Sequence, residues 1–400
     1  MVTSPVRPGT RPWAEHPILD AVRDLGPLIV AHGDEIERGG RLPDALAEAL
    51  RDAGVFQMYV PRSVGGHEVH PLTAFAVAEE LARHDGSTGW CAQVSAAVTV
   101  FLAWLDPDEL AAMAAQGPLH VAGSARPLGT ADAVDGGYVA RGHWNYASGV
   151  RHANWFLGTC FVEHPDGRKV ARSMLIPTTD GTIVSNWNVM GMRGTGSDDF
   201  VLDEVFVPEA RVAQRRWIER RHEPLYDPRL MMVAAWAPTA GVGIGLARGA
   251  IEALAAIGGR SSAGSPVPLR DREAAQEAMG RAEVIASSAR AYVVDAIGAA
   301  WDAVCEQRSV DLPGVVARAQ LAITHSLDAA VQVADLVFHA AGTNAISTAN
   351  RLERFLRDAH TAVQHSAGQT VHVRAGGRVL FGLDPGAVDP TREGPVTPRP

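Results

Sequence analysis

The chain has 400 residues, 46% of them hydrophobic and 20% charged, with a formal net charge of −9. That balance excludes disorder over most of the length and provides apolar material for two or three domains around a sizeable core. Negative net charge, with no Lys/Arg cluster beyond Arg215, Arg216, Arg220 and Arg221, argues against a nucleic-acid surface, and that cluster reads as a solvated connector.

The opening stretch, MVTSPVRPGTRPWAE, lacks the apolar run of a signal peptide. Residues 17 to 115 read as helices. Apolar residues recur at intervals of three and four from Ile18 to Ile36 and again in LPDALAEALRDAG, where Gly54 is a natural stop. After the turn-rich VPRSVGGHEVHP comes LTAFAVAEELARHDG. The charge-free stretch from Gly86 to Leu105 raises a membrane question, but Ser87, Thr88, Gln93, Ser95 and Thr99 would be poorly satisfied in lipid. A helix buried between other helices is expected, and no other segment competes as a membrane span. In HDGSTGW, Asp85 and Ser87 are candidate caps, His84 reads as a surface residue at a helix end, and Trp90 either lines a pocket or packs in the core.

From about Leu119 to Val212 the texture changes to short β-prone runs, YVARGHWNY, NWFLGTCFV, SMLIP, TIVSNWNV and FVLDEVFVP, which predict an antiparallel β domain. GHWNYASG suits either a flat ligand or plain strand packing before a turn. GMRGTGSDDFVLDEVFVP is a glycine-rich loop running into a strand. A helical pattern returns near Leu230 and holds to about Gly376, broken at Gly258 to Pro268 and at Leu312 to Gly314. Within it, Gly241, Gly243 and Gly245 lack the preceding strand of a dinucleotide fingerprint and read as sites of close helix packing.

Cys91, Cys160 and Cys305 have neither CxxC nor finger spacing and read as reduced, buried thiols. Near the end, RDAHTAVQH carries His360 and His365 five apart, about 140° around a helix, so they cannot share a metal on one face. Asp358 and Thr361 lie on the His365 side. The Pro-rich tail from Leu383 onward reads as mobile. The boundaries expected are 15–118 for an N-terminal helical domain, 119–215 for a central β domain, 216–382 for a C-terminal helical bundle and 383–400 for the tail. The chain is mainly α with a central β domain.

AGSARPLGTADAVDGGYVARGHWNYASG, GMRGTGSDDFVLDEVFVP, LARGAIEAL and ERFLRDAHTAVQH, in that order, resemble the acyl-CoA dehydrogenase superfamily over roughly residues 15 to 380. The resemblance implies a helical domain, a β-barrel-like middle domain, a C-terminal four-helix bundle, a homotetramer and a flavin held between domains. In most dehydrogenases of this kind a glutamate before a Gly-Thr pair abstracts the substrate proton, and here HAAGTNAIS puts Ala341 at that place. Leu230 to Arg248, where some relatives carry the glutamate, has no carboxylate. The chain is more similar to the two-component flavin-dependent monooxygenases, in which a histidine follows an RD or RN pair and a serine closes a W-x-x-x-S-G motif. His365 and Ser148 match those positions.

That resemblance implies a reduced flavin, FMN or FAD, which reacts with molecular oxygen to give a 4a-hydroperoxide and hydroxylates a small aromatic, phenolic or amine-bearing substrate. It implies that Ser148 donates to the flavin edge or peroxide. His365, with an ordinary pKa near ~6.5, would bind the peroxide or take a substrate proton. Tyr146 is expected against the flavin ring, Gly123 and Ser124 on a neighbouring loop, Thr195 near cofactor or substrate, and Trp90 and Trp144 in the substrate pocket. Arg260 matches an element that reaches a neighbouring subunit's FAD, although its usual aromatic is replaced by Ala263, which leaves FMN and FAD both open. A separate flavin reductase, a cytoplasmic location and a bacterial source complete the expectation. The alternatives are an acyl-CoA dehydrogenase, a flavin oxidase or an inactive binding scaffold.

Overall fold

A computed structural model describes residues 12–163, 167–214, 216, 223–262, 265–307 and 312–385. Arg215, Arg220, Arg221, Ala263 and the tail beyond residue 385 lie outside the described residues.

The first third is helical: α1 (Pro17–Asp24), α2 (Gly26–Gly39), α3 (Asp44–Asp52), α4 (Pro71–His84), α5 (Gly86–Thr99) and α6 (Pro107–Ala114). The periodic stretch from Ile18 to Ile36 falls in two helices. Pro27 cannot donate a hydrogen bond and would clash with the preceding turn, so it opens α2 instead of continuing α1. Asp85 breaks α4 from α5 with an extended backbone and caps α5 through Thr88 N–H donating to Oδ1 at 2.8 Å. The other expected cap, Ser87, instead accepts from Gly194 N at 3.1 Å, tying α5 to a loop of the β domain. His84 is half-buried, and its Nε2 pairs with Glu80.

The middle of the chain forms β1 (Val121–Val134), β2 (Gly137–Trp144), β3 (Trp155–Glu163), β4 (Lys169–Pro177), β5 (Thr182–Val184) and β6 (Asp199–Pro208), in the order β4-β3-β1-β2-β6-β5. The sheet is mixed, not antiparallel as expected, because β1 and β3 run parallel. After the β1–β2 hairpin, the segment from Asn145 to Asn154 carries the chain back so that β3 starts beside the start of β1.

The last part contains α7 (Met231–Ala256), the small β7 (Ser261–Ser262) and β8 (Ser265–Pro268), α8 (Glu273–Cys305), α9 (Leu312–Ala341), α10 (Leu352–Ala362) and α11 (Thr370–Leu380). Leu312 to Gly314 are the first turn of α9, not the break expected there. α7 runs through the middle, packed on α4 of the first domain and on α9 of its own bundle. Its glycines allow this. A Cβ on Gly241 would lie 2.2 Å from Phe75 O, one on Gly245 2.3 Å from Glu79 O, and one on Gly243 2.7 Å from Ser326 O. The segment Leu312–Asn344 is long and apolar enough to cross a membrane, which the sequence reading passed over, but here it packs against α7, α8 and α11. Cys91 and Cys160 are buried as expected, whereas Cys305 is exposed at the end of α8.

Candidate functional site

Two loops of the β domain are fastened side by side. Ala147 N–H donates to Asp198 O at 3.0 Å and Gly149 N–H to Thr195 O at 2.9 Å. Asp198 is buried and holds the far side, accepting from Arg151 Nε and from the backbone N–H groups of Asn186 and Trp187. This clamp brings Ser148 Oγ within 2.6 Å of Ser197 Oγ, which lies 2.6 Å from Thr195 Oγ1. Thr195 in turn donates to Met192 O at 2.9 Å. Tyr146, two residues before Ser148, has a left-handed backbone (φ 64°) and an outward ring that is 59% exposed, edge-on to Trp187.

From the first domain, Trp90 on α5 reaches into this group and donates from Nε1 to Ser148 Oγ at 3.2 Å. The same indole meets the His365 ring edge-to-face at 5.3 Å. His365 lies past the end of α10, not inside a helix as expected. It caps the short turn Ser366–Gly368, with Nδ1 accepting from Ala367 N at 3.2 Å. An accepting Nδ1 places the imidazole hydrogen on Nε2. Enclosure by protein, with the nearby His372 as a second cause, lowers the His365 pKa to about 4, well under the ordinary value expected from sequence. Trp236 on α7 closes the corner, 6.2 Å from the His365 ring and 5.0 Å from that of His372. His360 turns away and pairs with Asp335 at 2.9 Å.

Ser148, Thr195, Trp90 and His365 therefore converge from three parts of the chain. Trp144 does not join them. It is fully buried in the β-domain core, donating to Thr159 O at 3.2 Å, in space left by Gly129 and Gly142, whose Cβ atoms would lie 2.3 and 2.6 Å from its ring. Strand alternation aims it inward, so it is no pocket residue. Gly123 and Ser124 belong to β1 rather than to a loop. A Cβ on Gly123 would strike Leu157 O at 2.4 Å, and the half-buried Ser124 accepts from Arg126 N just before a bulge. Arg260 is exposed at the surface of the bundle, ahead of β7. Among the described residues it shares no hydrogen bond or ring contact with the cluster.

Sequence reasoning missed Ser197 and Trp236. Ser197 had a signal, since it stands two residues after Thr195 in the glycine-rich loop; Trp236, inside the apolar first half of α7, had none. Two surface recesses of about 500 and 510 Å³ lie elsewhere, one beside His70 and Trp301, the other beside Arg193 and Arg357. Ala341, at the position of the dehydrogenase base, is a buried residue ending α9.

The sequence matches the acyl-CoA dehydrogenase N-terminal domain over residues 15–105 and the acyl-CoA dehydrogenase C-terminal domain over residues 237–370. It is 30% identical over 372 residues to an indole-3-acetate monooxygenase of Pseudomonas putida, covering 92% of this chain and 93% of that one. It is also 30% identical over 393 residues to the flavin-dependent monooxygenase oxygenase subunit HsaA of Mycobacterium tuberculosis, covering 92% and 96%. The fold superposes on XiaF from Streptomyces sp., solved in complex with FADH2 and glycerol, with a TM-score of 0.83 at 28% identity over 94% of this chain and 97% of that one.

Proposed function

The chain belongs to the acyl-CoA dehydrogenase family, in its flavin-dependent monooxygenase branch, and we propose that it hydroxylates a small aromatic, phenolic or amine-bearing substrate at the Trp90–Ser148–His365 corner. The observation that carries the reading is the Trp90 indole, which touches Ser148 of the β domain and His365 of the bundle at once. The residues present fit a flavin. An exposed Tyr146 ring offers a flat face, Ser148 and Thr195 offer hydroxyls, and Gly123 lets two backbones approach closely behind Ser124. The absence of a carboxylate at Ala341 and along Leu230 to Arg248 speaks against thioester dehydrogenation.

When bound, reduced flavin activates molecular oxygen and supplies one oxygen atom to the substrate. The chain's own part is to orient the reactants and exclude water. Trp90 and Trp236 wall the corner with apolar rings suited to an aromatic substrate. His365 stays neutral and holds its hydrogen on Nε2, so it donates a hydrogen bond without carrying charge. Burial that lowers its pKa to about 4 favours the donor role over the base role among the two expected for it.

Reduced flavin would come from a separate reductase. A cytoplasmic location fits the unpaired thiols Cys91 and Cys160. In a homotetramer, the exposed Arg260 would reach a flavin held by a neighbouring subunit. The test is to mix the protein, preloaded anaerobically with reduced FMN or FAD, with oxygenated buffer while following flavin absorbance, with and without candidate phenols and amines. Flavin reoxidation slower than that of free flavin, with a hydroxylated product, supports the reading. Reoxidation at the free-flavin rate without product, whatever compound is added, rejects it.

A further inference from the structure

Four hydrogen bonds in series join Trp90 to Met192. They run from Trp90 Nε1 to Ser148 Oγ (3.2 Å), on to Ser197 Oγ (2.6 Å), to Thr195 Oγ1 (2.6 Å) and to Met192 O (2.9 Å). The ends favour one direction. An indole N–H only donates, a carbonyl only accepts, and each hydroxyl has a single hydrogen. Thr195 gives its hydrogen to Met192, so Ser197 donates to Thr195 and Ser148 donates to Ser197. All four hydrogens are then committed. Ser148, Ser197 and Thr195 are 5%, 3% and 2% exposed, so little solvent reaches them to reorder the chain.

We infer that Ser148 meets a ligand as an acceptor, through its remaining lone pair, and that the Ser148–Ser197–Thr195 chain thereby selects reduced flavin, whose ring carries an N–H that the oxidised ring lacks. This rests on the flavin reading above and reverses the donor role that the family resemblance implies for Ser148. The opposite orientation is available at a defined cost. If Thr195 turned to Ser197 and Ser197 to Ser148, the Ser148 hydrogen would be released, and Met192 O would keep the Trp187 indole at 3.0 Å and Thr195 N at 3.2 Å. One hydrogen bond separates the two orientations, which corresponds to a preference of roughly two- to twelvefold.

The experiment compares dissociation constants for oxidised FMN and FAD with those for the same flavins reduced anaerobically. Ser197→Ala and Thr195→Val each free the Ser148 hydrogen, so oxidised flavin should bind more tightly and the reduced-to-oxidised preference should fall roughly two- to twelvefold. A merely damaged site would instead weaken both forms. Thr195→Ser keeps the terminal hydroxyl and should keep the preference. Trp90→Phe cuts the chain at its head, leaves the terminal carbonyl acceptor in place, and should also keep it. Ser197→Ala and Thr195→Val proteins that bind flavin with the wild-type preference overturn the inference and leave the proposed function standing; a wild-type protein that binds neither redox form overturns both. Should Ser197→Ala fail to fold, the contrast between Thr195→Val and Thr195→Ser decides.

Discussion

Burial lowers the His365 pKa to about 4, so the ring is neutral across the range in which enzymes are usually assayed. The sign of the stability effect follows. In the unfolded chain the ring takes a proton near ~6.5, so the stability of its buried neutral form is complete above that pH and is lost as pH falls through about 4. His70 and His120, lowered by burial to about 4 and about 3, act in the same direction. Thermal melts should therefore show Tm falling from pH 6.5 towards 4, and His365→Ala should lose less Tm over that interval than wild type. Between pH 6 and 8, hydroxylation should show no inflection that disappears in this variant. The variant tests function separately. Without the Nε2 donor and the ring that seals the corner, hydroxylated product per reduced flavin should fall and hydrogen peroxide should rise; unchanged coupling would remove His365 from the mechanism.

α7 joins two domains because its glycines let α4 and α9 approach it from opposite sides. A methyl group added at Gly245 would lie 2.3 Å from Glu79 O and 2.8 Å from Ala82 Cβ, forcing α4 and α7 apart. Gly245→Ala should destabilise by about 1–3 kcal/mol in denaturant unfolding, the range for an overpacked core. Gly280, exposed inside α8 with nothing within 4 Å of a built Cβ, is the control, and Gly280→Ala should stabilise by up to about 1 kcal/mol. The packing role of the α7 glycines was legible because they stand in an Ala-rich helical run with no strand before them. β1 was not legible as a strand. Its sequence, VAGSARPLGTADAV, is poor in β-branched residues and carries two register shifts around Pro127, so neither propensity nor a clean alternation marks it. The parallel β1–β3 pairing was equally hidden, since it depends on where a ten-residue connection carries the chain.

At the scale of the whole molecule, the order of helical domain, β domain and bundle was readable from texture, and Ser148 and His365 were readable from family motifs. Trp236 and the burial that resets the His365 pKa were not, because both arise only when distant segments pack together. The same is true of Asp358. This carboxylate on α10 is buried, accepts from Met192 N at 2.5 Å, and faces Gly86 at the start of α5, so it pins the loop bearing Thr195 and Ser197 between the first domain and the bundle. Its surroundings include Asp85 and Glu37 as like charges and Arg357 as an opposing one. Burial first, then Asp85, raises its pKa to about 7, against the favourable hydrogen bond from Met192 and the Arg357 charge. For an acid the sign is opposite to that of a stabilised carboxylate. Between the unfolded value near ~3.9 and about 7 the folded protein holds a proton that the unfolded chain has lost, so stability falls as pH rises through that window, and the full penalty is present above it. Asp358→Asn keeps an acceptor for Met192 N and removes the charge. Its Tm advantage over wild type should therefore grow from pH 5 to pH 8; a difference independent of pH would mean that Asp358 stays ionised in the fold and that the three-way junction is held by charge after all.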